Sequence, residues 1–178
     1  MDRIIFGIVG PSGCGKTEVL IIPVTEHIGH AVGAIRTYTT REWRHWSDDY
    51  IYDFTSDFNF KELITNGEMI QEVLFGKSRY GNTFAQVQRI LSQKHGVIAL
   101  TEEGVHNFKG KGYSVKAVKI VPVGIPPREG NAQRKADDEA RALIPVDYSL
   151  VIENHFGDEG KARAQQQLID FILSFPLS

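Results

Sequence analysis

A glycine-rich segment near the start of the chain constrains the fold more than any other feature of the sequence. Gly10–Thr17 reads GPSGCGKT and directly follows the apolar run Ile4–Val9. It matches the phosphate-binding loop G-x-x-x-x-G-K-[ST], which joins a buried strand to a helix in α/β proteins. In such a loop, backbone N–H groups and the helix N-terminus surround a phosphate, the lysine reaches the outer phosphates, and the Ser or Thr hydroxyl ligates Mg²⁺. The segment therefore predicts a site for a nucleoside triphosphate with Mg²⁺. The residues assigned to it are Pro11, Ser12, Gly13, Cys14, Gly15, Lys16 and Thr17, with Thr17 as the metal ligand.

Composition limits the classes of protein to which the chain can belong. Its 178 residues carry a net charge of −2, with a pI of about 6.3, which gives no sign of an electrostatic surface for nucleic acid or a membrane. Cys14 is the single cysteine, so an internal disulfide framework and a multi-cysteine metal site are excluded. No apolar run approaches the roughly 18 residues of a spanning helix, and no targeting segment is recognisable. We expect a single-domain cytoplasmic protein, with neither nucleic acid nor membrane among its partners.

Apolar runs of strand length alternate with polar segments of helical length along the chain. This alternation is typical of a mainly parallel sheet flanked by helices. Pro23 lies inside the helix expected after the phosphate-binding loop, so we predict a kink or an early end there. The predicted core strands are Ile4–Val9, Gly96–Leu100, Val115–Val121 and Tyr148–Ile152, and the clearest helices are Phe84–Gln93 and Glu159–Phe175.

Two parts of the sequence do not fit this repeating pattern. Residues 35–82 are rich in Thr, Tyr, Trp, Phe and Arg, with strand-like pieces at Tyr52–Phe54 and Met69–Phe75 around a helix-like Phe58–Asn66. We interpret this block as an inserted α+β lobe that holds a second substrate. The Pro- and Gly-rich Val123–Asn131 fits a flap, so residues 124–143 are predicted to form a short lid. Residues 1–34, 83–123 and 144–178 would then form the core of one domain.

Two arginines follow a run of hydroxyl side chains at the start of this lobe. Residues 36–44 read RTYTTREWR, which places Arg41 and Arg44 three positions apart. Guanidinium groups bind phosphate oxygens through paired hydrogen bonds, and Thr and Tyr hydroxyls can complete the cage. The pattern predicts a clamp for the phosphate of the second substrate.

Three groups of motifs resemble the guanylate kinase family of nucleoside monophosphate kinases. The phosphate-binding loop resembles that family's GPSGxGK[ST], and residues 39–44 resemble its TTRxxR. Residues 52–54, 60–70 and 80–81 are similar to its Y-x-F, F-x-x-M-I-x-x-G-E-F and Y-Y-G segments at the same spacings. The resemblance implies that the chain transfers the γ-phosphoryl group of ATP, bound with Mg²⁺, to GMP, dGMP or a similar acceptor. By the same resemblance Arg41, Arg44, Tyr52 and Tyr80 hold the acceptor phosphate, while Lys16 stabilises charge on the donor side.

The lid of that family carries arginines that close over the donor. In this chain the corresponding segment is compressed to Pro126–Leu143. Arg128 and Arg134 are the predicted catalytic arginines of the lid, beside Lys16 and the two arginines of the clamp. Arg141 lies seven residues after Arg134 and shares its helix face, where it fits a solvated charged helix equally well.

The positions with which the family reads guanine differ in this chain. Gln71 and Asn82 stand where the family has a Glu and a Ser or Thr, while Ala99 and Thr101 stand where it has acidic residues. A carboxylate accepts both the N1–H and the 2-amino protons of guanine, whereas an amide offers one acceptor and two donors. Glu102 and Glu103 are candidates to replace the acidic pair in holding Mg²⁺ or substrate. The predicted acceptor-binding residues are Thr37, Arg41, Arg44, Tyr52, Gln71, Tyr80, Asn82 and Thr101.

Two alternatives stay open on the sequence alone. The changed base-reading positions fit a kinase of the same family that acts on another nucleotide or on a phosphorylated sugar. The compressed lid fits a catalytically idle module of the guanylate kinase type that binds a protein partner. The intact pair Lys16 and Thr17 argues against the second alternative, because a pure binding module needs no contacts to Mg²⁺ and triphosphate.

Overall fold

The computed structural model describes residues 3–124 and 132–177, and it describes residues 132–135 by their backbone alone. A π-helical segment, Lys16–Ile21, leads from the phosphate-binding loop into the first α-helix. None of the helices in these ranges combines the length and the apolar character that a membrane span needs. The strands are β1 (Ile4–Val9), β2 (Val32–Ala34), β3 (Thr37–Thr39), β4 (Tyr52–Phe54), β5 (Met69–Phe75), β6 (Ser78–Thr83), β7 (His95–Leu100), β8 (Ser114–Pro122) and β9 (Tyr148–Asn154). The α-helices are α1 (Ile22–His27), α2 (Asp48–Ile51), α3 (Asp57–Thr65), α4 (Phe84–Leu91), α5 (Glu102–Gly110), α6 (Ala132–Arg141) and α7 (Asp158–Leu173).

A parallel sheet of five strands forms the centre of the molecule, in the order β2-β7-β1-β8-β9. Because side chains alternate between the faces of a strand, β1 contributes to two separate apolar clusters. Phe6 and Ile8 pack in the cluster that contains residues of α1 and α7, whereas Ile5 and Val9 pack in the cluster that contains residues of α4 and α5. The predicted α/β architecture, with its four core strands, is confirmed. The carboxyl ends of these strands share one edge, where open α/β sheets place their ligands.

The helix after the phosphate-binding loop does not end at Pro23. Its first part, Lys16–Ile21, has π-helical hydrogen bonding, and the α-helical part starts at Ile22 and continues to His27. Pro23 therefore lies in the first turn of α1, where a missing backbone N–H costs little. Of the two predicted alternatives, a kink or an early end, the early end was wrong. The helix continues past Pro23 and changes from π-helical to α-helical hydrogen bonding just before it.

A second sheet of four strands is inserted between β2 and α4, in the order β4-β3-β6-β5. β3 runs parallel to β4, whereas β6 runs antiparallel to both β3 and β5. Helix α3 precedes β5, with its Ser56 hydroxyl accepting the Asn59 N–H as an N-cap and its Phe60 fully buried. These elements form the inserted α+β lobe expected from the sequence, with β3 and β6 in addition to the predicted pieces.

A buried histidine ties the core strands to the end of the chain. His95, at the start of β7, accepts the Ile4 N–H at Nδ1 over 3.0 Å. Its Nε2 lies 2.8 Å from the carbonyl oxygen of Phe175 and donates to it, because Nδ1 is the acceptor. The neutral ring thus closes the amino end of the parallel sheet, on the side away from the phosphate-binding loop.

Candidate functional site

A cavity of about 810 Å³ lies between the carboxyl edge of the parallel sheet and the second sheet. The phosphate-binding loop, the start of α5, and α6 complete its wall. All eight residues predicted for the acceptor and five of the seven predicted for the donor line this one space. The lining residues from these two sets are Ser12, Gly13, Gly15, Lys16 and Thr17 on one side, and Thr37, Arg41, Arg44, Tyr52, Gln71, Tyr80, Asn82 and Thr101 on the other.

The phosphate-binding loop needs its glycines because of its left-handed backbone angles and its close packing on the core. Gly13 and Gly15 have left-handed backbone angles, with φ of 78° and 97°. A Cβ atom at Gly15 would lie 2.7 Å from Nδ2 of Asn154, and one at Gly10 would lie 2.6 Å from Cγ2 of Ile120. Since side chains cannot occupy these positions, the loop leaves a bare backbone cradle of the kind that surrounds phosphate oxygens.

Lys16 and Cys14 have different roles within the loop. Lys16 Nζ donates to the carbonyl oxygens of Gly10 at 2.6 Å and Pro11 at 2.8 Å, so its ammonium group closes over the loop. The side chain of Cys14 is fully buried in the core, and burial raises the pKa of its thiol although the neighbouring Lys16 acts in the opposite direction. Only its backbone can therefore take part in binding. Pro11 has no N–H, and its carbonyl oxygen holds Lys16 in place.

Asn154 anchors the loop from the end of β9, and the sequence analysis missed it. The fully buried side chain donates from Nδ2 to the carbonyl oxygen of Cys14 at 3.0 Å. Its Oδ1 accepts the N–H of Phe156 at 3.1 Å, and Phe156 has a left-handed φ of 57°. The signal was a polar residue two positions beyond the predicted strand Tyr148–Ile152, at the edge where ligands bind.

The acceptor clamp is organised by Asp48, a second residue that the sequence analysis missed. Arg41 Nη2 lies 2.5 Å from Asp48 Oδ1, with both side chains about 10% exposed. The other carboxylate oxygen accepts the N–H groups of Arg44 and His45 at 2.9 and 3.1 Å. Arg41 also lies over the ring of Tyr52, 4.9 Å from its centre, and its buried Nε has no hydrogen-bond partner among the described residues. The Asp48 carboxylate thus fixes Arg41 through the arginine side chain and Arg44 through the arginine backbone N–H.

The clamp is also connected to the donor side through Glu18. This residue follows Thr17, and its Oε1 accepts a hydrogen bond from the Ser47 hydroxyl at 3.1 Å. The same oxygen lies 3.1 Å from Nδ1 of His45. Because Ser47 directly precedes Asp48, the segment that orders the clamp is tied to the helix that begins at the phosphate-binding loop.

The strands β5 and β6 place two amide side chains in the cavity wall. Asn82 is fully buried, and its Nδ2 donates to the carbonyl oxygen of Arg36 and to Oγ1 of Thr37, both at 3.0 Å. Its Oδ1 accepts from Nε2 of Gln71 at 2.8 Å. Thr101 caps α5 by accepting the Gly104 N–H at 3.1 Å. This part of the wall is therefore polar but uncharged.

The two candidate carboxylates at the start of α5 are placed differently. Glu102 lines the cavity, and the Tyr148 hydroxyl lies 3.5 Å from its Oε1. Burial, together with the negative charge of Glu102, raises the pKa of Tyr148 to about 12. Glu103 is exposed and is not among the described lining residues. Of the residues that the sequence assigns to Mg²⁺, the Thr17 hydroxyl and the Glu102 carboxylate thus lie in the cavity wall, and oxygen donors are what this ion prefers.

Helix α6 contacts both sides of the cavity. Asp138 Oδ2 accepts the N–H of Ser12 in the phosphate-binding loop at 3.0 Å, while Asp137 Oδ2 accepts the N–H of Gly76 next to β5 at 3.1 Å. Arg141 donates from Nη2 to the carbonyl oxygen of Leu74 at 2.8 Å, and its guanidinium lies 4.9 Å from the ring centre of Phe75. Arg141 is therefore placed at the cavity. The predicted catalytic Arg128 and the side chain of Arg134 lie outside the described part of the chain.

Comparisons of the sequence with a family model and with curated proteins indicate one family. The guanylate kinase family model matches residues 2–155 of this chain. A guanylate kinase of Francisella tularensis subsp. holarctica (strain OSU18) is 25% identical over 154 residues, which cover 84% of this chain and 80% of that protein. A guanylate kinase of Jannaschia sp. (strain CCS1) is also 25% identical over 134 residues, which cover 72% of this chain and 60% of that protein, less than two thirds of its length.

A solved structure shares the fold. The crystal structure of guanylate kinase from Anaplasma phagocytophilum superimposes with a TM-score of 0.69, over 97% of this chain and 86% of that chain. Sequence identity over the superposition is 18%. At this identity the likeness concerns the arrangement of strands and helices alone.

Proposed function

We propose that this chain, which belongs to the guanylate kinase family, catalyses transfer of the γ-phosphoryl group of ATP to a nucleoside monophosphate, with GMP and dGMP as the family's expected acceptors. The observation that carries the proposal is that one cavity has a group of phosphate-binding residues on each side. Lys16 and Thr17 lie in the donor wall, and Arg41 and Arg44 lie in the acceptor wall.

The arrangement of charges suits a transfer between two phosphate groups. The loop N–H groups and Lys16 would hold the outer phosphates of ATP, for which Lys16 must leave the carbonyl oxygens of Gly10 and Pro11. The guanidinium groups of Arg41 and Arg44 would hold the acceptor phosphate, with the Tyr52 and Tyr80 hydroxyls as neutral donors. An enzyme of this type works mostly by positioning and charge stabilisation, because the transfer itself needs little covalent chemistry from the protein.

The proposed step balances as a direct transfer. An oxygen of the acceptor phosphate attacks the γ-phosphorus, and the bond from phosphorus to the β,γ-bridging oxygen breaks, so that ADP leaves with that oxygen. Mg²⁺, held by Thr17 with Glu102 nearby in the wall, would neutralise negative charge on the transferring group. The guanidinium of Arg141 at the cavity is a further source of positive charge.

The proposal is tested by ADP release from purified protein with ATP, Mg²⁺ and a panel of ribo- and deoxyribonucleoside monophosphates and sugar phosphates. We expect release that depends on a nucleoside monophosphate, and a fall of about a hundredfold or more in Lys16→Ala, as is usual when a preorganised charge is removed. Lys109→Ala is the matched control, because Lys109 is exposed on α5. No release with any acceptor would contradict the proposal.

A further inference from the structure

Helix α2 orders the acceptor clamp, although it is too short to be stable on its own. It has four residues, Asp48–Ile51, and no side chain caps its N-terminus. A single helical turn gains too few hydrogen bonds to offset the cost of nucleation, and its last carbonyl groups have no partners within the helix. The helix nevertheless carries Asp48, whose carboxylate holds Arg41 and Arg44. Contacts from outside α2 must therefore keep it in place.

The guanidinium group of Arg36, between β2 and β3, supplies such contacts. Its Nη1 donates to the carbonyl oxygen of Asp49 within α2, and its Nη2 donates to the carbonyl oxygen of Tyr52, which follows the helix. Its Nε donates to Oδ1 of Asp53 at 2.6 Å and so fixes the plane of the group. All three nitrogen atoms of this guanidinium therefore hold the end of α2 and the start of β4.

The Asp53 carboxylate joins this contact to the parallel-sheet core. Its second oxygen, Oδ2, accepts a hydrogen bond from Nε2 of Gln86 at 2.6 Å. Gln86 is buried in the first turn of α4, where its Oε1 accepts the Thr83 N–H at 3.0 Å in a capping box. The capping box fixes which end of the Gln86 amide faces Asp53. A continuous set of hydrogen bonds therefore runs from α4 through Asp53 and Arg36 to α2.

We infer that Arg36 and Asp53 are positioning residues for the acceptor, because they anchor α2, and with it the clamp, to the core helix α4; this rests on the proposed function. Neither residue is among the described residues that line the cavity, so both act through others. The residues that they hold, Asp48 and Tyr52, belong to the acceptor side. Breaking the anchor should therefore weaken acceptor binding and leave ATP binding nearly unchanged.

The variant Asp53→Asn breaks the anchor with little change of shape. It keeps one acceptor oxygen and replaces the other with an NH₂ group, so that either Arg36 Nε or Gln86 Nε2 faces a donor. We expect GMP affinity in isothermal titration calorimetry to fall about tenfold, as for a lost hydrogen bond to a charged group, while ATP affinity stays within about twofold. Asp57→Asn is the matched control, because Asp57 also pairs with two cationic side chains. It should leave both affinities unchanged.

A second substitution should restore the anchor. In the double variant Asp53→Asn with Gln86→Glu, the carboxylate at position 86 accepts from the NH₂ group at position 53, so the hydrogen bond returns with its polarity reversed and the net charge is unchanged. The capping box is kept, because glutamate serves there as well as glutamine does. GMP affinity should return to within about threefold of that of the unmodified chain. No loss of GMP affinity in Asp53→Asn, an equal loss of GMP and ATP affinity, or a loss that persists in the double variant would overturn the inference.

The two tryptophans of the chain report on the anchor without any ligand. Trp43 and Trp46 both lie in the clamp segment, and Trp43 Nε1 donates to Oδ1 of Asp49 in α2 at 3.1 Å. Because a loosened segment exposes its side chains more, acrylamide should quench their fluorescence about 1.5-fold more strongly in Asp53→Asn, and the double variant should reverse this. Unchanged quenching in Asp53→Asn would contradict the inference.

The quenching comparison also separates the inference from the proposed function. If the unmodified chain binds no nucleoside monophosphate, the proposed function fails, and quenching alone then decides whether the anchor orders the clamp. If Asp53→Asn does not fold, Arg36→Lys takes its place, because it keeps the positive charge and loses the three-nitrogen fork. The same changes in GMP affinity and quenching are expected, and their absence would overturn the inference.

Discussion

Replacing Asn154 with alanine should weaken both the folded state and ATP binding. The change removes two hydrogen bonds, from Nδ2 to the Cys14 carbonyl oxygen at 3.0 Å and from the Phe156 N–H to Oδ1 at 3.1 Å. It leaves that carbonyl and that N–H without their partner. Each buried polar group left unpaired costs about 1–3 kcal/mol, and the partial burial of Phe156 favours the lower half of the range. We therefore expect a loss of about 3 kcal/mol in the free energy of unfolding, or about 6–12 °C in Tm for a domain of this size.

The measurements are urea denaturation followed by circular dichroism and ATP titration by calorimetry. Because Cys14 belongs to the phosphate-binding loop, we expect ATP affinity to fall about tenfold, which corresponds to about 1.4 kcal/mol. Asn59→Ala is the control, since Asn59 is exposed on α3 and its replacement should change stability by less than about 0.5 kcal/mol. A loss below about 1 kcal/mol with unchanged ATP affinity would refute the idea that Asn154 holds the loop.

Three further predictions concern the clamp, α6 and the cysteine. Arg41→Lys keeps the positive charge beside Asp48 but loses the paired hydrogen-bond donors of the guanidinium group. The KM for the acceptor should therefore rise about tenfold, while ATP affinity stays within twofold of that of the unmodified chain. If ATP and the acceptor were weakened equally, Arg41 would not serve the acceptor. Asp138→Asn removes the negative charge that lies beside the Ser12 N–H, so ATP should bind about threefold more tightly in calorimetry. Asp137→Asn is the control and should leave ATP affinity unchanged. Unchanged affinity in both variants would contradict competition between Asp138 and phosphate. Since burial raises the pKa of Cys14, its thiol stays protonated at pH 8. A maleimide should therefore label the native chain at least tenfold more slowly than the urea-unfolded chain. Similar labelling rates would contradict the burial of Cys14.

How well the sequence predicts each strand depends on whether the residues of that strand show an apolar pattern of their own. β1, β7, β8 and β9 are apolar enough to be predicted directly. Apolar clusters cover both faces of β1, whereas alternate residues of β9 are exposed. β2 and β3 have three residues each, and β6 reads SRYGNT, so their strand conformation depends on pairing with neighbours that a local pattern does not reveal.

The site shows the same division between local and distant signals. The phosphate-binding loop and the two arginines of the clamp are contiguous motifs, and the structure places both in one cavity. Asn154 contacts Cys14 across 140 positions of the chain, so no local pattern connects them. Glu102 and Glu103 both lie in the first turn of α5 and differ in the direction in which their side chains leave the helix, because adjacent helical residues are about 100° apart. The sequence alone therefore favoured neither.

The most direct test follows the phosphoryl group itself. Purified chain is incubated with Mg²⁺, GMP and ATP labelled at the γ-phosphate, and the products are separated. Direct transfer across the cavity predicts that the label leaves ATP and appears in the terminal phosphate of the nucleoside diphosphate, with little in inorganic phosphate. Label that stays in ATP, or that is released only as inorganic phosphate, would contradict the assignment of the cavity as a donor site facing an acceptor site.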